Sequence, residues 1–190
     1  EACDDAGVKL MIAYRRHWDA ANLDVIEPRI VTSVLTRTDR SGGALLDMGI
    51  YCVNAARHVF HAEPLSVLAM QTVGAEEPLR HVDEITSVVM RFPDDRIAQF
   101  TVSQGAPFVS ELRVIGTKGD VRLERREPKD PIAQFSTCII DGVAPEPSGE
   151  EGLADVRVIE AIIRSAATRE VVHVDGARPS RPSMRVKKAS

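Results

Sequence analysis

The middle of the chain consists of strand patterns that follow one another with turns, not helices, between them. Stretches rich in apolar and β-branched residues occupy positions 65–73, 84–92, 96–103, 110–116 and 121–123. Pro93-Asp94-Asp95 and Thr117-Lys118-Gly119-Asp120 are turn signals between neighbouring stretches. Strands joined by turns pair antiparallel, whereas parallel strands need a long crossover. The sequence therefore predicts an antiparallel or mixed sheet.

Two more strands are predicted nearer the N-terminus, at residues 8–15 and 29–36. The first is apolar enough to be covered on both faces. Within 84–92, apolar Val88, Met90 and Phe92 recur at every second position, which predicts a sheet with one covered face. We expect the other face to be available to a partner subunit.

Helices are predicted on either side of this sheet region. Residues 44–60 contain no proline and are long enough for a helix, and Asp130-Pro131 is typical of the start of a short helix that Gly142 can end. Ser148 and Glu151 have capping-box spacing ahead of a helix over 149–168. The elements predict one α+β domain over 1–176, followed by a basic, proline-containing tail over 177–190.

Charge, apolar runs and cysteine content limit the kinds of partner and the cellular compartment that we expect for this protein. The 190 residues carry 24 Lys and Arg against 28 Asp and Glu, a net charge of −4, so we expect no nucleic-acid partner. No apolar run approaches a membrane span, and no signal peptide precedes the first strand. Three cysteines without a CxxC pair predict a reducing, cytoplasmic location. The chain begins without Met, so we expect a fragment of a longer protein.

One helix carries the residues with chemical potential. At about 100° per residue, Asp47, Tyr51, Asn54 and His58 fall on one narrow polar stripe of an otherwise apolar helix. Such a stripe must be paired, hydrated or line a cleft. Either Asp47 caps a neighbouring element and Tyr51 is a core aromatic residue with a bonded hydroxyl, or Tyr51 presents an acid/base hydroxyl to a substrate. The spacing leaves both interpretations open.

The sequence offers no evident partner for a catalytic tyrosine, nor a metal site. A phenol near pKa 10 needs a nearby cation to act as a base at neutral pH. Lys9 is the only lysine before Lys118, and it lies inside a predicted strand. His58 and His61 are three residues apart, but no carboxylate completes a ligand set, so we expect no metal.

Three motifs, in order, resemble the C-terminal domain of the glucose–fructose oxidoreductase/inositol dehydrogenase family. They are Lys9-Leu10-Met11-Ile12-Ala13-Tyr14-Arg15, the G-G-x-L-x-D-x-G-I-Y block over 42–51, and Pro147-Ser148-Gly149-Glu150-Glu151-Gly152 with the helix behind it. The tyrosine at position 51 is similar to that of the sugar-dehydrogenase branch. The resemblance runs over nearly the whole chain.

This resemblance implies the substrate-binding half of an NAD- or NADP-dependent oxidoreductase that acts on a sugar or polyol. It implies an open, mostly antiparallel mixed sheet with helices on one face. The other face would form a homodimer or homotetramer. Asp47 and Tyr51 would be the catalytic pair, and Tyr14 and Arg15 would approach the nicotinamide or the substrate.

Three further residues are expected near the substrate. Asn54 shares the polar stripe with the catalytic pair. His17 and Trp18, next to Arg15, either flank a sugar or form an ordinary surface rim.

The chain departs from the family pattern in two respects. It contains no G-x-G-x-x-G and no Glu-Lys-Pro that would supply a catalytic lysine, so we expect the nucleotide-binding half to lie outside it. The joins near 27–28, 39–41 and 127–130 are shorter than the family pattern. The alternative to an oxidoreductase is a non-catalytic module that forms oligomers or binds a sugar and has no dinucleotide-binding domain.

Overall fold

A computed structural model describes residues 2–12, 27–36, 43–75, 79–124, 131–145 and 147–176. Within these residues, seven strands form one sheet in the order β6-β5-β1-β4-β3-β2-β7. The strands are β1 (Pro28–Thr36), β2 (Ser66–Val73), β3 (Asp83–Arg91), β4 (Ile97–Ser103), β5 (Val109–Gly116), β6 (Gly119–Glu124) and β7 (Val172–His173).

The sheet is mixed but mostly antiparallel, as the sequence predicts. Consecutive strands β2 to β4 and the β5–β6 hairpin pair antiparallel. Strand β1 lies between β4 and β5, parallel to the former and antiparallel to the latter. In this register Val34 is opposite Thr101 of β4 and Glu111 of β5.

Only one face of the sheet is covered by the described helices. On β3, Val88 and Met90 are buried while Val89 between them is exposed, and the same alternation runs through β4. The covered face continues into a single apolar core that includes Leu45, Val53 and Ile162. One-sided burial is the pattern expected of an antiparallel sheet.

The helices are α1 (Ala2–Asp5), a π-helical turn (Leu45–Gly49) that continues into α2 (Ile50–Phe60), α3 (Pro131–Ile140) and α4 (Gly149–Thr168). The predicted helices over 44–60 and 149–168 are both present. Ser148 caps α4, because its Oγ accepts the backbone N–H of Glu151. No helix in the described ranges is long and apolar enough to cross a membrane.

The strand predicted over residues 8–15 is wrong where the structure describes it. Residues 8–12 form no strand, and residues 13–15 lie outside the described ranges. The backbone N–H of Ile12 instead donates to the carbonyl of Pro147 at 2.9 Å. Lys9 Nζ donates to the carbonyls of Cys138 and Val143 at the end of α3. An apolar run becomes a strand only beside another strand, and here it lies against the start of α4.

Candidate active site

The helix formed by the π-helical turn and α2 begins on a carboxylate supplied by the sheet. The backbone N–H of Leu45 donates to Oδ2 of Asp83 at 2.7 Å, and Thr86 Oγ1 donates to the same oxygen at 2.6 Å. The first N–H groups of a helix have no partner within it, and a carboxylate there is also favoured by the helix dipole. Asp83 thus fixes where the helix starts relative to β3.

Gly43 permits this close approach. Its φ is +87°, a conformation that residues with a Cβ rarely adopt, and a Cβ at this position would overlap Oδ1 of Asp83. Six residues later, a Cβ on Gly49 would overlap Cδ1 of Leu45 in the same helix at 2.7 Å, while the ring of Phe100 on β4 would lie in ordinary contact at 3.5 Å. Gly43 and Gly49 of the G-G-x-L-x-D-x-G-I-Y block therefore have a packing role.

The first turn of the helix is wider than an α-helical turn. The backbone N–H of Ile50 donates to the carbonyl of Leu45, five residues earlier, which defines a π-helical turn. Such turns inside helices occur frequently at functional sites. Asp47 lies within this turn and Tyr51 one turn later, and both side chains are partly exposed.

The predicted polar stripe divides into two parts. Asp47 and Tyr51 reach the surface, whereas Asn54 and His58 are 3% and 4% exposed. The second half of the helix is covered because α4 packs against it. Tyr51 packs against the edge of the apolar core, so its ring is held while part of it meets solvent.

Asn54 faces the protein interior and not a cleft. Its Nδ2 donates to Oδ2 of Asp155 on α4 at 3.0 Å. The prediction that Asn54 contacts the substrate stays a prediction, and in this structure the amide is buried and bonded to α4. Its observed role is to satisfy a carboxylate that is itself 0% exposed.

Next to Asn54 lies a buried ion network centred on Arg57, which is 1% exposed. Its guanidinium donates to both carboxylate oxygens of Glu63, at 2.7 and 2.6 Å, and lies 2.5 Å from Asp155 and 3.2 Å from Glu151. Burial acts to lower the pKa of Arg57, but the hydrogen bond to Glu63 and the surrounding carboxylates outweigh it and raise that pKa. The charge is therefore retained in the interior.

The remaining predicted site residues cannot be placed. Tyr14, Arg15, His17 and Trp18 lie outside the described residues.

His58 and His61 contact edge to face, with ring centroids 5.7 Å apart. Among the described side chains, no group of three or more His, Cys, Asp and Glu is arranged to hold a metal ion.

Three residues that the sequence reasoning missed surround the helix. Asp83 caps it, Gln104 donates to Asp47, and Asp155 anchors its second half. Each comes from an element distant along the chain. In the sequence, each of the three is only a polar residue within or beside an apolar pattern. Such a pattern does not indicate which residue its side chain will contact.

The fold and this helix define a class: an α+β domain that places an acid and a phenol at the accessible end of a helix packed on a mixed sheet. The protein-family model of the GFO/IDH/MocA C-terminal domain matches residues 10–122 of the sequence, more than half of the chain. The chain therefore belongs to this family, and represents its C-terminal domain.

Individual relatives agree with this assignment. The chain is 27% identical to D-xylose 1-dehydrogenase [NADP(+)] of Haloarcula marismortui, over 92% of this chain and 63% of that protein. It is 24% identical to inositol 2-dehydrogenase of Rhizobium meliloti, over 90% of this chain and 66% of that protein. The chain thus spans less than two thirds of the length of these relatives.

Solved structures share the fold. Aldose–aldose oxidoreductase from Caulobacter crescentus superposes with a TM-score of 0.77 and 29% identity, over 90% of this chain and 66% of that one. Scyllo-inositol dehydrogenase from Lactobacillus casei gives a TM-score of 0.73 at 18% identity, over 90% and 66% of the two chains. At that identity the second comparison establishes the fold alone.

Proposed function

We propose that this chain is the substrate-binding half of an NAD- or NADP-dependent oxidoreductase that acts on a carbinol group of a sugar or polyol. The observation that carries the proposal is the selective exposure of Asp47 and Tyr51 on a helix whose other polar residues are enclosed. The names of the relatives support the substrate class, since they include a D-xylose and an inositol dehydrogenase.

In the proposed reaction Tyr51 takes the hydroxyl proton of the substrate while the carbinol carbon gives up its hydride and becomes a carbonyl. The nicotinamide supplies the hydride acceptor when bound. Asp47, one turn before Tyr51, orients the phenol or a substrate hydroxyl. General acid/base groups at such positions contribute roughly 10²–10⁴-fold to rate.

A phenol that acts as a base at neutral pH needs a nearby cation, and Lys9 does not supply it. Lys9 Nζ is engaged by two backbone carbonyls at the end of α3. As the family resemblance implies, we assign this role to a lysine of a nucleotide-binding domain outside this chain. We propose that this domain also holds most of the cofactor, because the glycine-rich strand-to-helix turn of dinucleotide-binding domains would lie there.

The uncovered face of the sheet supports a proposal about assembly. Its central strands present Val34, Leu68, Met70 and Val89, which are 38%, 42%, 76% and 43% exposed. This face also carries the polar side chains of Ser87, Gln99 and Thr101, and its combination of apolar and polar residues is compatible with an interface between subunits. We propose that a second copy of the protein covers it, giving a homodimer or, by repetition, a homotetramer.

Turnover by the intact protein tests the proposed function. D-xylose and myo-inositol would each be incubated with NAD⁺ or NADP⁺, and formation of the reduced cofactor followed by its absorbance. We expect turnover with at least one combination. Failure to reduce or bind either cofactor, in a protein that is folded, would contradict the proposal and favour a non-catalytic sugar-binding or oligomerisation module.

A further inference from the structure

A glutamine at the end of β4 lies beside the first turn of the catalytic helix. Gln104 is 0% exposed, and its Nε2 lies 3.2 Å from Oδ2 of Asp47 and 3.4 Å from the carbonyl of Gly43. It therefore bridges the carboxylate of Asp47 and the backbone at the start of the helix.

The orientation of this side-chain amide follows from its neighbours. The carboxylate of Asp47 and the carbonyl of Gly43 are both acceptors, so the NH₂ group of Gln104 must face them. The reverse orientation would place an amide oxygen against a carboxylate. Gln104 is thus a neutral donor to Asp47.

The sheet holds Gln104 in place independently of the helix. Its backbone N–H donates to the carbonyl of Glu84 on β3 at 2.9 Å. The next residue, Gly105, donates its backbone N–H to Ser103 Oγ at 3.1 Å, and a Cβ at Gly105 would overlap the carboxylate of Glu84. This turn is therefore tightly fitted against the neighbouring strand.

We propose that Gln104 is a positioning residue that holds the carboxylate of Asp47 in the orientation used in catalysis. The inference rests on the proposed function, which assigns Asp47 to the reaction. The side chain of Asp47 is partly exposed, so its carboxylate plane needs a fixed donor to prevent rotation. A hydrogen bond from a side chain anchored in the sheet provides one, because both partners of the bond then sit on rigid elements.

A double-mutant cycle in the intact protein tests this inference. Gln104→Met removes the donor at nearly constant volume, and we expect kcat to fall by about 10- to 100-fold with little change in KM. In an Asp47→Asn background the same change should alter kcat by less than about twofold, since contacting residues are not additive. Arg164→Met, at an exposed ion pair on α4, is the control and should leave kcat unchanged.

A second variant separates hydrogen bonding from packing. Gln104→Glu keeps the shape but places a carboxylate against that of Asp47, so its loss of kcat should exceed that of Gln104→Met. Equal losses from Gln104→Met in both backgrounds would overturn the inference, because the residue would then act through packing alone. A fully active Asp47→Asn variant would overturn it as well, together with the catalytic role of Asp47.

A readout without turnover keeps the inference distinct from the proposed function. In the ¹⁵N-labelled intact protein, the side-chain NH₂ resonances of Gln104 should shift on Asp47→Asn, and less on Tyr51→Phe. The two outcomes are independent. Absence of dehydrogenase activity would contradict the proposed function, whereas a Gln104 resonance that does not shift on Asp47→Asn would contradict the contact between Gln104 and Asp47.

Discussion

Nη1 of Arg57 lies 2.5 Å from Oδ1 of Asp155 inside the protein, and this contact joins α2 to α4. Both residues are 1% exposed or less. The partly exposed carboxylates of Glu63 and Glu151 complete the surroundings of the guanidinium. A charge can be kept in an interior only when it is paired and fully hydrogen-bonded, so this network sets how the two helices pack.

Removal of the central cation should destabilise the protein strongly. Arg57→Met leaves the 0%-exposed carboxylate of Asp155 without its ion-pair partner, and breaking a buried pair costs about 3–5 kcal/mol. The matched control is Arg164→Met on α4, which breaks an exposed ion pair with Asp175 and should cost no more than about 1 kcal/mol. Urea denaturation measures both. Similar losses for the two variants would show that the buried network has no special role.

Substitution of Gly43 should cost more than its backbone conformation alone explains. Gly142→Ala, at φ +68° with open space around it, should cost about 1 kcal/mol. Gly43→Ala carries a similar strain and also displaces Asp83 from the helix start, so we expect about 2 kcal/mol or more. Thermal denaturation compares them. Equal losses would mean that Asp83 relaxes without cost.

A charge on the uncovered sheet face should weaken self-association. Val89→Lys places an ammonium group in the centre of that face, whereas Ile163→Lys places one on the outer face of α4. The two wild-type side chains are 43% and 45% exposed, so the comparison is matched for exposure. Light scattering of the intact protein should show a smaller species for Val89→Lys alone. If Ile163→Lys alone caused dissociation, the interface between copies would lie on the helical side of the protein and not on the uncovered sheet face.

The strands and hairpins could be predicted because they depend on local signals. Alternating apolar residues at Val88 and Met90 identified the covered face, and the Pro93-Asp94-Asp95 turn placed β3 beside β4. The position of β1 between β4 and β5 has no local signal, because contacts between distant strands decide it. Residues 8–12 failed as a strand for a related reason, since apolar character does not supply a strand partner.

The site was predictable in part. A uniform 100° per residue placed Asp47 and Tyr51 on one side of the helix, and both are partly exposed. The same rule could not include the π-helical turn over Leu45–Gly49, nor the burial of Asn54 under α4. Gln104 was missed because it comes from a strand end that only the tertiary fold brings to the helix.

The kcat of Tyr51→Phe in the intact protein measures whether proton transfer passes through the hydroxyl of Tyr51. This change removes one hydroxyl and keeps the ring that packs against the core, so folding should be preserved. With a substrate that the wild-type protein turns over, we expect kcat to fall by roughly 10²–10⁴-fold while the thermal midpoint stays nearly constant. Turnover within about twofold of wild type would contradict the account, since the proton transfer would then not pass through this helix.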